Sequence, residues 1–243
     1  MNLKIIADRV ADVFFPPACP ICGKPRPFVE GIRVDICPEC MEKISYIQEP
    51  RCLKCGKSIE NDEREYCRDC ENKKHIFTRC VSVYEYSEGI KKSVYNFKYH
   101  NKREYAAVYG REMSRKCGIF IKMWNPDVIM PVPVHISRLK RRGFNQAELI
   151  AQELGRNVNI AVDTQSLIRI KRTRPMKELD NHDRIKNLEN AFQVSENVVR
   201  YRKVLLVDDI YTTGTTLDMC AKSLINSGIK EVYGITLCVG KGF

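Results

Sequence analysis

Nowhere in this sequence do the roughly 18 apolar residues needed to span a bilayer as a helix run without interruption. The start of the chain is equally unsuited to a secretory signal, because Lys4, Asp8, Arg9 and Asp12 break up any apolar stretch there. A cytoplasmic location without membrane insertion is therefore expected. The compositions of disordered and fibrous chains are also missing. Hydrophobic residues make up 44% of the 243 positions, enough for a core in one medium domain with a small appendage. Acidic charge is in deficit, since 30 Asp and Glu face 41 Lys and Arg and leave a formal charge of +11. Such a balance welcomes phosphate or nucleic acid, and a well-solvated basic surface gives the same number.

A chain without a secretory signal is a poor candidate for a disulfide framework, and this changes how its 12 cysteines are read. Eight form C-x-x-C pairs: Cys19/Cys22, Cys37/Cys40, Cys52/Cys55 and Cys67/Cys70. A C-x-x-C turn aims two thiolates at one tetrahedral ion, so two turns close a structural zinc site with no position left for water or substrate. Four turns imply two zinc ions, which lower the formal charge from +11 to +7 at two negative charges per tetrathiolate site. Pro20, Gly23, Pro38 and Gly56 suit knuckle turns rather than a core, so metal is expected to supply the folding energy of this part. An iron–sulfur cluster or a redox dithiol fits less well, the latter needing one pair and a βαβ context. Consecutive pairing gives two ribbons with loops of 14 and 11 residues, and the similar openings C-P-I-C-G and C-L-K-C-G favour it over an interleaved cross-brace. Cys80, Cys117, Cys220 and Cys238 lie among apolar residues and read as small core hydrophobes.

Beyond about Ile76, apolar strands alternate with helical periodicities, as an α/β sheet requires. Strand candidates are Cys80–Tyr86, Val128–Val132, Val204–Val207 and Val232–Val239. Val204 to Val207 is apolar throughout, as expected of a strand buried on both faces, and Leu217, Cys220, Ala221 and Leu224 then share a helical stripe that stops at Gly228. Between them lies Asp208-Asp209-Ile210-Tyr211-Thr212-Thr213-Gly214-Thr215-Thr216, beyond the carboxyl end of a strand, where open parallel sheets bind ligands. Thr212, Thr213, Gly214, Thr215 and Thr216 suit a phosphate cradle of amides and hydroxyls at a helix N-terminus. The lysine of a P-loop and the three glycines of a dinucleotide fold are both missing. Asp208 and Asp209 stand about one sugar away from that cradle, able to accept from ribose hydroxyls or hold Mg²⁺ through water. Helix capping is the plainer reading, but it does not call for two acids, four threonines and a glycine.

Val204 to Thr216 resembles the 5-phosphoribosyl-1-pyrophosphate (PRPP) signature of type I phosphoribosyltransferases, with Tyr211 where many members carry an aliphatic residue. The cysteine knuckles, Pro131–His135 through Arg141-Arg142-Gly143-Phe144-Asn145-Gln146-Ala147, and Arg172-Thr173 to Arg184, Asn187 and Ala191-Phe192 narrow the resemblance to the ComF family of bacterial competence proteins. It implies a type I phosphoribosyltransferase fold with a mainly parallel sheet over residues 76–243. Ahead of it, residues 1–75 would hold a short helix and a small zinc-ribbon domain with four-cysteine sites. It further implies that Asp208 and Asp209 hold the ribose hydroxyls, Thr212 to Thr216 the 5′-phosphate, and Mg²⁺ bridges ribose and pyrophosphate. His135, Arg138, Lys140, Arg141 and Arg142 follow an early strand where the pyrophosphate loop of such folds begins, although this basic run also suits a solvated helix start. Lys171–Lys186 is polar and aperiodic, as a flap closing over substrate would be. Met176 stands where the family has glutamine.

Three functions stay open at this point. One is a glycosyltransferase that passes ribosyl phosphate to a nucleobase or other acceptor in nucleotide salvage, by way of an oxocarbenium-like ribose. Another, implied by the resemblance, is a module of DNA uptake and transformation that binds a PRPP-type sugar phosphate and single-stranded DNA. Its physical support is the basic aromatic stretch Lys91–His100, although Val94, Tyr95 and Phe97 also suit packing against a sheet. The third makes the ribbons a dock for a ComFA-like helicase or a DprA-like recombination mediator.

Overall fold

The computed structural model describes residues 16–60, 63–171 and 190–240. The expected N-terminal helix, the expected flap from Arg172 onward, with Met176 and Arg184, and Asn187 lie outside them. Within residues 16–75 one device is built twice. In each ribbon the first C-x-x-C folds back on itself, the Gly23 amide donating to the Cys19 carbonyl at 2.8 Å and the Gly56 amide to the Cys52 carbonyl at 2.9 Å. The first ribbon then runs through a tight hairpin of β1 (Phe28–Val29) and β2 (Ile32–Arg33). The second C-x-x-C of each ribbon starts a short helix: α1 (Pro38–Met41) follows Cys37, and α2 (Arg68–Asn72) follows Cys67. Partial positive charge at those helix starts faces the thiolates.

The remaining elements are β3 (Arg79–Glu85), α3 (Glu88–Tyr99), α4 (Tyr105–Trp124), β4 (Val128–Pro131), α5 (Ile136–Arg142), α6 (Gln146–Val158), β5 (Leu167–Arg169), β6 (Phe192–Val194), β7 (Lys203–Tyr211), α7 (Thr215–Asn226) and β8 (Glu231–Val239). Four strands form a parallel sheet in the order β3-β8-β7-β4, while β5 and β6 pair antiparallel apart from it. The expected strands at Cys80, Val128 and Val232 form with ends shifted by one residue. Val204 to Val207 are wholly buried, as an apolar run in the middle of a parallel sheet should be. The outer edge of β3 is covered by the link between the ribbons, where the Ile47 amide donates to Val83 at 3.0 Å and the Glu85 amide to Ser45 at 2.8 Å. An edge paired in this way is closed to other chains.

The two faces of the sheet carry separate cores. Ile129, Leu205, Val207, Ile235 and Leu237 pack under α3, α4 and α6. Met130, Leu206 and Val232 pack under α7 with Phe192 and Leu167. Each ribbon belongs to a different core. Ile21, Ile36 and Ile44 of the first join the α3–α4–α6 side, while Cys52, Cys55 and Ile59 of the second, with Ile47 of the link, join the α7 side. The expectation that metal would supply the folding energy of the ribbons is extended here, because their isoleucines also find burial against the sheet that they cannot find in each other. Cys80, Cys117, Cys220 and Cys238 are core residues.

One expectation is corrected, and one open alternative is decided. Asp208, Asp209, Ile210 and Tyr211 belong to β7 rather than to a loop, because β8 runs on to Val239 and keeps pairing with them. The ladder skips Asp209, and the alternation slips there: Val207 and Ile210 pack on one side of the sheet, Leu206 and Tyr211 on the other. Such a slip re-aims side chains at the end of a strand. The basic run from Arg138 to Arg142, expected in a pyrophosphate loop or at a helix start, lies in α5, as the second alternative had it. The His135 side chain caps this helix by accepting from the Ser137 amide, and Gly143 ends it in the left-handed conformation at φ 79°.

Candidate functional site

The eight paired cysteines gather as Cys19, Cys22, Cys37 and Cys40, and as Cys52, Cys55, Cys67 and Cys70, with the sulfurs of each set within 4.8 Å of one another. Cys19–Cys37 and Cys22–Cys37 are 3.7 Å apart, and Cys55–Cys67 3.6 Å. Sulfurs about 2.3 Å from a tetrahedral zinc ion lie about 3.8 Å from one another, so the donor sets fit zinc and leave no open coordination position. These are two structural zinc sites.

At the carboxyl end of β7 stand the two acids. Asp209 is buried and pairs with Lys98 of α3 at 2.6 Å. Burial works against the charge on Lys98, but Asp209 overcomes it and raises the lysine pKa. Asp208 accepts the Asp209 amide at 2.8 Å. Its carboxyl is pushed up to about 7, chiefly by burial and then by the charge of Asp209, while Lys98 and Arg169 pull the other way. Adjacent in sequence, the two acids are therefore unlike: one is neutralised by a lysine, and the other is poised to gain or lose a proton near neutral pH.

The turn after β7 is set by Gly214, which caps α7 at φ 71°. A Cβ there would meet the Tyr211 hydroxyl at 2.6 Å and His75 Cε1 at 2.8 Å, so both conformation and space demand glycine. Thr212 is exposed, Thr213 and Thr216 half-buried, and Thr215 buried. Thr213 and Thr215 share a hydroxyl hydrogen bond of 2.9 Å. The amides at the start of the 12-residue α7 face this turn with the positive end of the helix dipole behind them.

Around this centre stand cations. Arg142 donates to Gln146 at 2.9 Å and to the Tyr99 hydroxyl at 3.1 Å, and its guanidinium lies over the Tyr99 ring. Burial and the neighbouring Arg142 and Arg141 charges lower the Arg138 pKa. Arg169 on β5 is lowered to about 10 by burial and then by Arg138. Arg142 thus acts on Lys98, the partner of Asp209, and Arg138 acts on Arg169, which in turn acts on Asp208, while His135 is occupied as the cap of α5. Lys140 and Arg141 sit in the last turn of that helix, Lys140 exposed.

Sequence reasoning missed Lys73, Lys98, Arg169 and the pair His75–Asp218 as members of this neighbourhood. The sequence marks Lys98 only as part of a basic aromatic stretch. Little in the spacing of these residues announces that they converge, because Lys98, Arg169 and Asp218 come from three different elements and Lys73 and His75 from the link between α2 and β3.

The chain is similar to known proteins over most of its length. A double zinc ribbon domain family matches residues 10–71, and a phosphoribosyl transferase domain family matches residues 120–242. The chain is similar to competence protein F of Haemophilus influenzae, 31% identical over 208 residues that cover 81% of this chain and 87% of that protein. DNA utilization protein YhgH of Salmonella typhimurium is 30% identical over 227 residues, 90% of this chain and 89% of that protein. Competence protein ComFC of Bacillus subtilis is 29% identical over 202 residues, 79% of each. Among the described residues no helix is long and apolar enough to cross a membrane.

Proposed function

Because this chain belongs to the ComF family, with a double zinc ribbon ahead of a phosphoribosyltransferase domain, we propose that it serves DNA uptake and utilization by binding a PRPP-type sugar phosphate at the end of β7. The observation that carries the reading is the junction itself: two acids stand near the carboxyl end of a strand, and a threonine-rich turn at Gly214 opens α7. In this reading Thr212 to Thr216 and the α7 amides take the 5′-phosphate. Asp208 accepts from the ribose hydroxyls. Asp209, already neutralised by Lys98, holds that lysine beside the sugar. Asp208 is the residue that would hold Mg²⁺, whose charge would offset the cost of burying the carboxylate and help to neutralise the bound anion. Arg138, Arg142 and Arg169 stabilise the pyrophosphate end. Calorimetric titration of PRPP with Mg²⁺ tests this. Saturable binding is expected, and its loss in a zinc-loaded Asp208→Asn, Asp209→Asn variant supports the site; no binding by the wild type sinks it.

Transfer of ribosyl phosphate to a nucleobase uses the same residues, with leaving pyrophosphate stabilised by the arginines. Pyrophosphate release on mixing base, PRPP and protein is its requirement.

A second reading rests on α3. Tyr95 and Tyr99 are 54% and 49% exposed and stand one turn apart with ring centroids 5.0 Å from each other, and Tyr99 lies against Arg142. Val94 and Phe97 of the same helix are buried, so the stretch divides into a packing face and an aromatic, basic face. Exposed rings next to guanidinium groups suit stacked bases of single-stranded DNA. Retention of an oligonucleotide that falls steeply with salt is expected, and no retention at low salt removes this reading.

A further inference from the structure

The six residues between α2 and β3 lead straight from the second zinc site past the phosphate turn. Lys73 Nζ lies 3.0 Å from the Thr213 carbonyl, 3.4 Å from the Thr215 hydroxyl and 3.2 Å from the Asp218 carboxylate. Asp218, buried in the first turn of α7, also accepts the Ile76 amide at 2.8 Å and faces His75 Nδ1 at 2.8 Å. With Nδ1–H donated to Asp218, His75 Nε2 accepts from the Tyr211 hydroxyl at 3.3 Å. One side of the turn is thus held by the zinc-ribbon part of the chain, across more than 130 residues of sequence. Tyr211 supplies the hydroxyl that meets His75.

The far end of this arm is fixed by metal and main chain. Cys67 and Cys70 ligate at the start of α2, only a few residues before Lys73. Across the site, the Cys80 amide donates to the Lys54 carbonyl at 2.8 Å, and Gly56 packs so closely on β3 that a Cβ would meet the Cys80 carbonyl at 2.6 Å. The first zinc site has no such route among the described residues, since its cysteines belong to the opposite core.

We propose that Lys73 is a positioning residue of the phosphate turn, held in place by the second zinc site, so that occupancy of that site, and not of the first, sets the affinity for the 5′-phosphate of the sugar. Lys73 holds the Thr213 carbonyl turned away from the anion, keeps the Thr215 hydroxyl in register, and places a cation behind a dianionic phosphate. The affinity claim rests on the sugar-phosphate reading of Thr212–Thr216; the positioning claim has a readout of its own.

The experiment uses the full, zinc-loaded chain as wild type, Lys73→Met, Lys73→Arg, Cys67→Ser and Cys22→Ser. Amide hydrogen exchange is followed across residues 203–226, and ribose 5-phosphate is titrated by calorimetry. Lys73→Met is expected to speed exchange at 212–216 while β7 stays protected, and to weaken ribose 5-phosphate by about tenfold to a hundredfold, as for a lost hydrogen bond to a charged group. Lys73→Arg should recover most of both, Cys67→Ser should reproduce the methionine variant, and Cys22→Ser should leave residues 212–216 unchanged. Unchanged exchange in Lys73→Met, or equal effects of the two cysteine variants, overturns the proposal. Wild type that fails to bind ribose 5-phosphate removes the affinity claim together with the proposed function, whereas the exchange pattern still decides whether Lys73 positions the turn.

Discussion

The first and second zinc ribbons use the same spacing of ligands within each knuckle, the same glycine after the first knuckle and the same short helix at the second, yet they attach to the sheet in different ways. The first meets α4 through side chains: Asp35 accepts from Arg111 at 2.5 and 2.7 Å and from Arg26 at 2.7 Å, above a layer of isoleucines. The second meets β3 through main chain, with Lys54 and Leu53 carbonyls accepting from the Cys80 amide and the Arg79 side chain. Side-chain attachment tolerates adjustment, whereas main-chain attachment fixes distance. A fixed distance is what a residue needs if it is to hold a loop elsewhere, and Lys73 follows the second ribbon, not the first.

The largest expected effect comes from removing metal. Structural zinc contributes about 10–16 kcal/mol in isolated finger peptides, and here both sites also complete a core. Cys40→Ser and Cys55→Ser should each drop the metal content from two ions to one and lower the melting temperature steeply, as read by metal analysis and thermal unfolding. If either variant kept its full stability, the ribbon concerned would be an appendage and the comparison would break.

The two knuckle glycines sharpen it further. Gly23 and Gly56 both have positive φ, near 77° and 73°, but a Cβ at Gly23 would meet nothing closer than 3.9 Å, whereas one at Gly56 would strike β3 backbone at 2.6 and 2.8 Å. Gly23→Ala should cost about 1 kcal/mol, from conformation alone, and Gly56→Ala about 2–4 kcal/mol, since neither partner can give way. Denaturant midpoints measure the difference, and equal losses would show that both ribbons attach alike.

A pH titration probes the site that the second ribbon braces. Asp208 carries a pKa raised to about 7, so below that value it holds a proton that must leave before the carboxylate can accept sugar hydroxyls or a cation. Affinity for PRPP with Mg²⁺ should fall up to about tenfold per unit as pH drops below 7, beyond any change seen in Asp208→Asn, which subtracts the ligand's own ionisation. For stability the sign is opposite. The folded state binds this proton more tightly than the unfolded chain does, so the contribution of Asp208 to stability declines as pH rises from about 4 to 7. The smallest effect belongs to the first ribbon's ion pair. Asp35→Asn should cost about 1 kcal/mol and lose much of that in high salt, because Arg111 is partly exposed. No change at residues 212–216 should accompany it in hydrogen exchange.

Much of this protein is legible in its sequence because the signals are local. C-x-x-C spacing names a tetrahedral metal site, the unbroken run Val204–Val207 names a strand buried on both faces, and Gly214 among threonines names a turn that opens a helix. Those features need only neighbours along the chain. Sequence could not tell that Asp208 and Asp209 lie inside a strand whose alternation slips, since that depends on how far β8 continues beside them. It could not tell that Lys98 neutralises one acid, or that the isoleucines of each ribbon go to opposite faces of one sheet. Nor could it bring Lys73 and His75 to a turn far along the chain. Local geometry is set by covalent spacing and backbone preference, but a buried charge and its partner are chosen by whichever elements the sheet brings together, and that choice is made only in three dimensions.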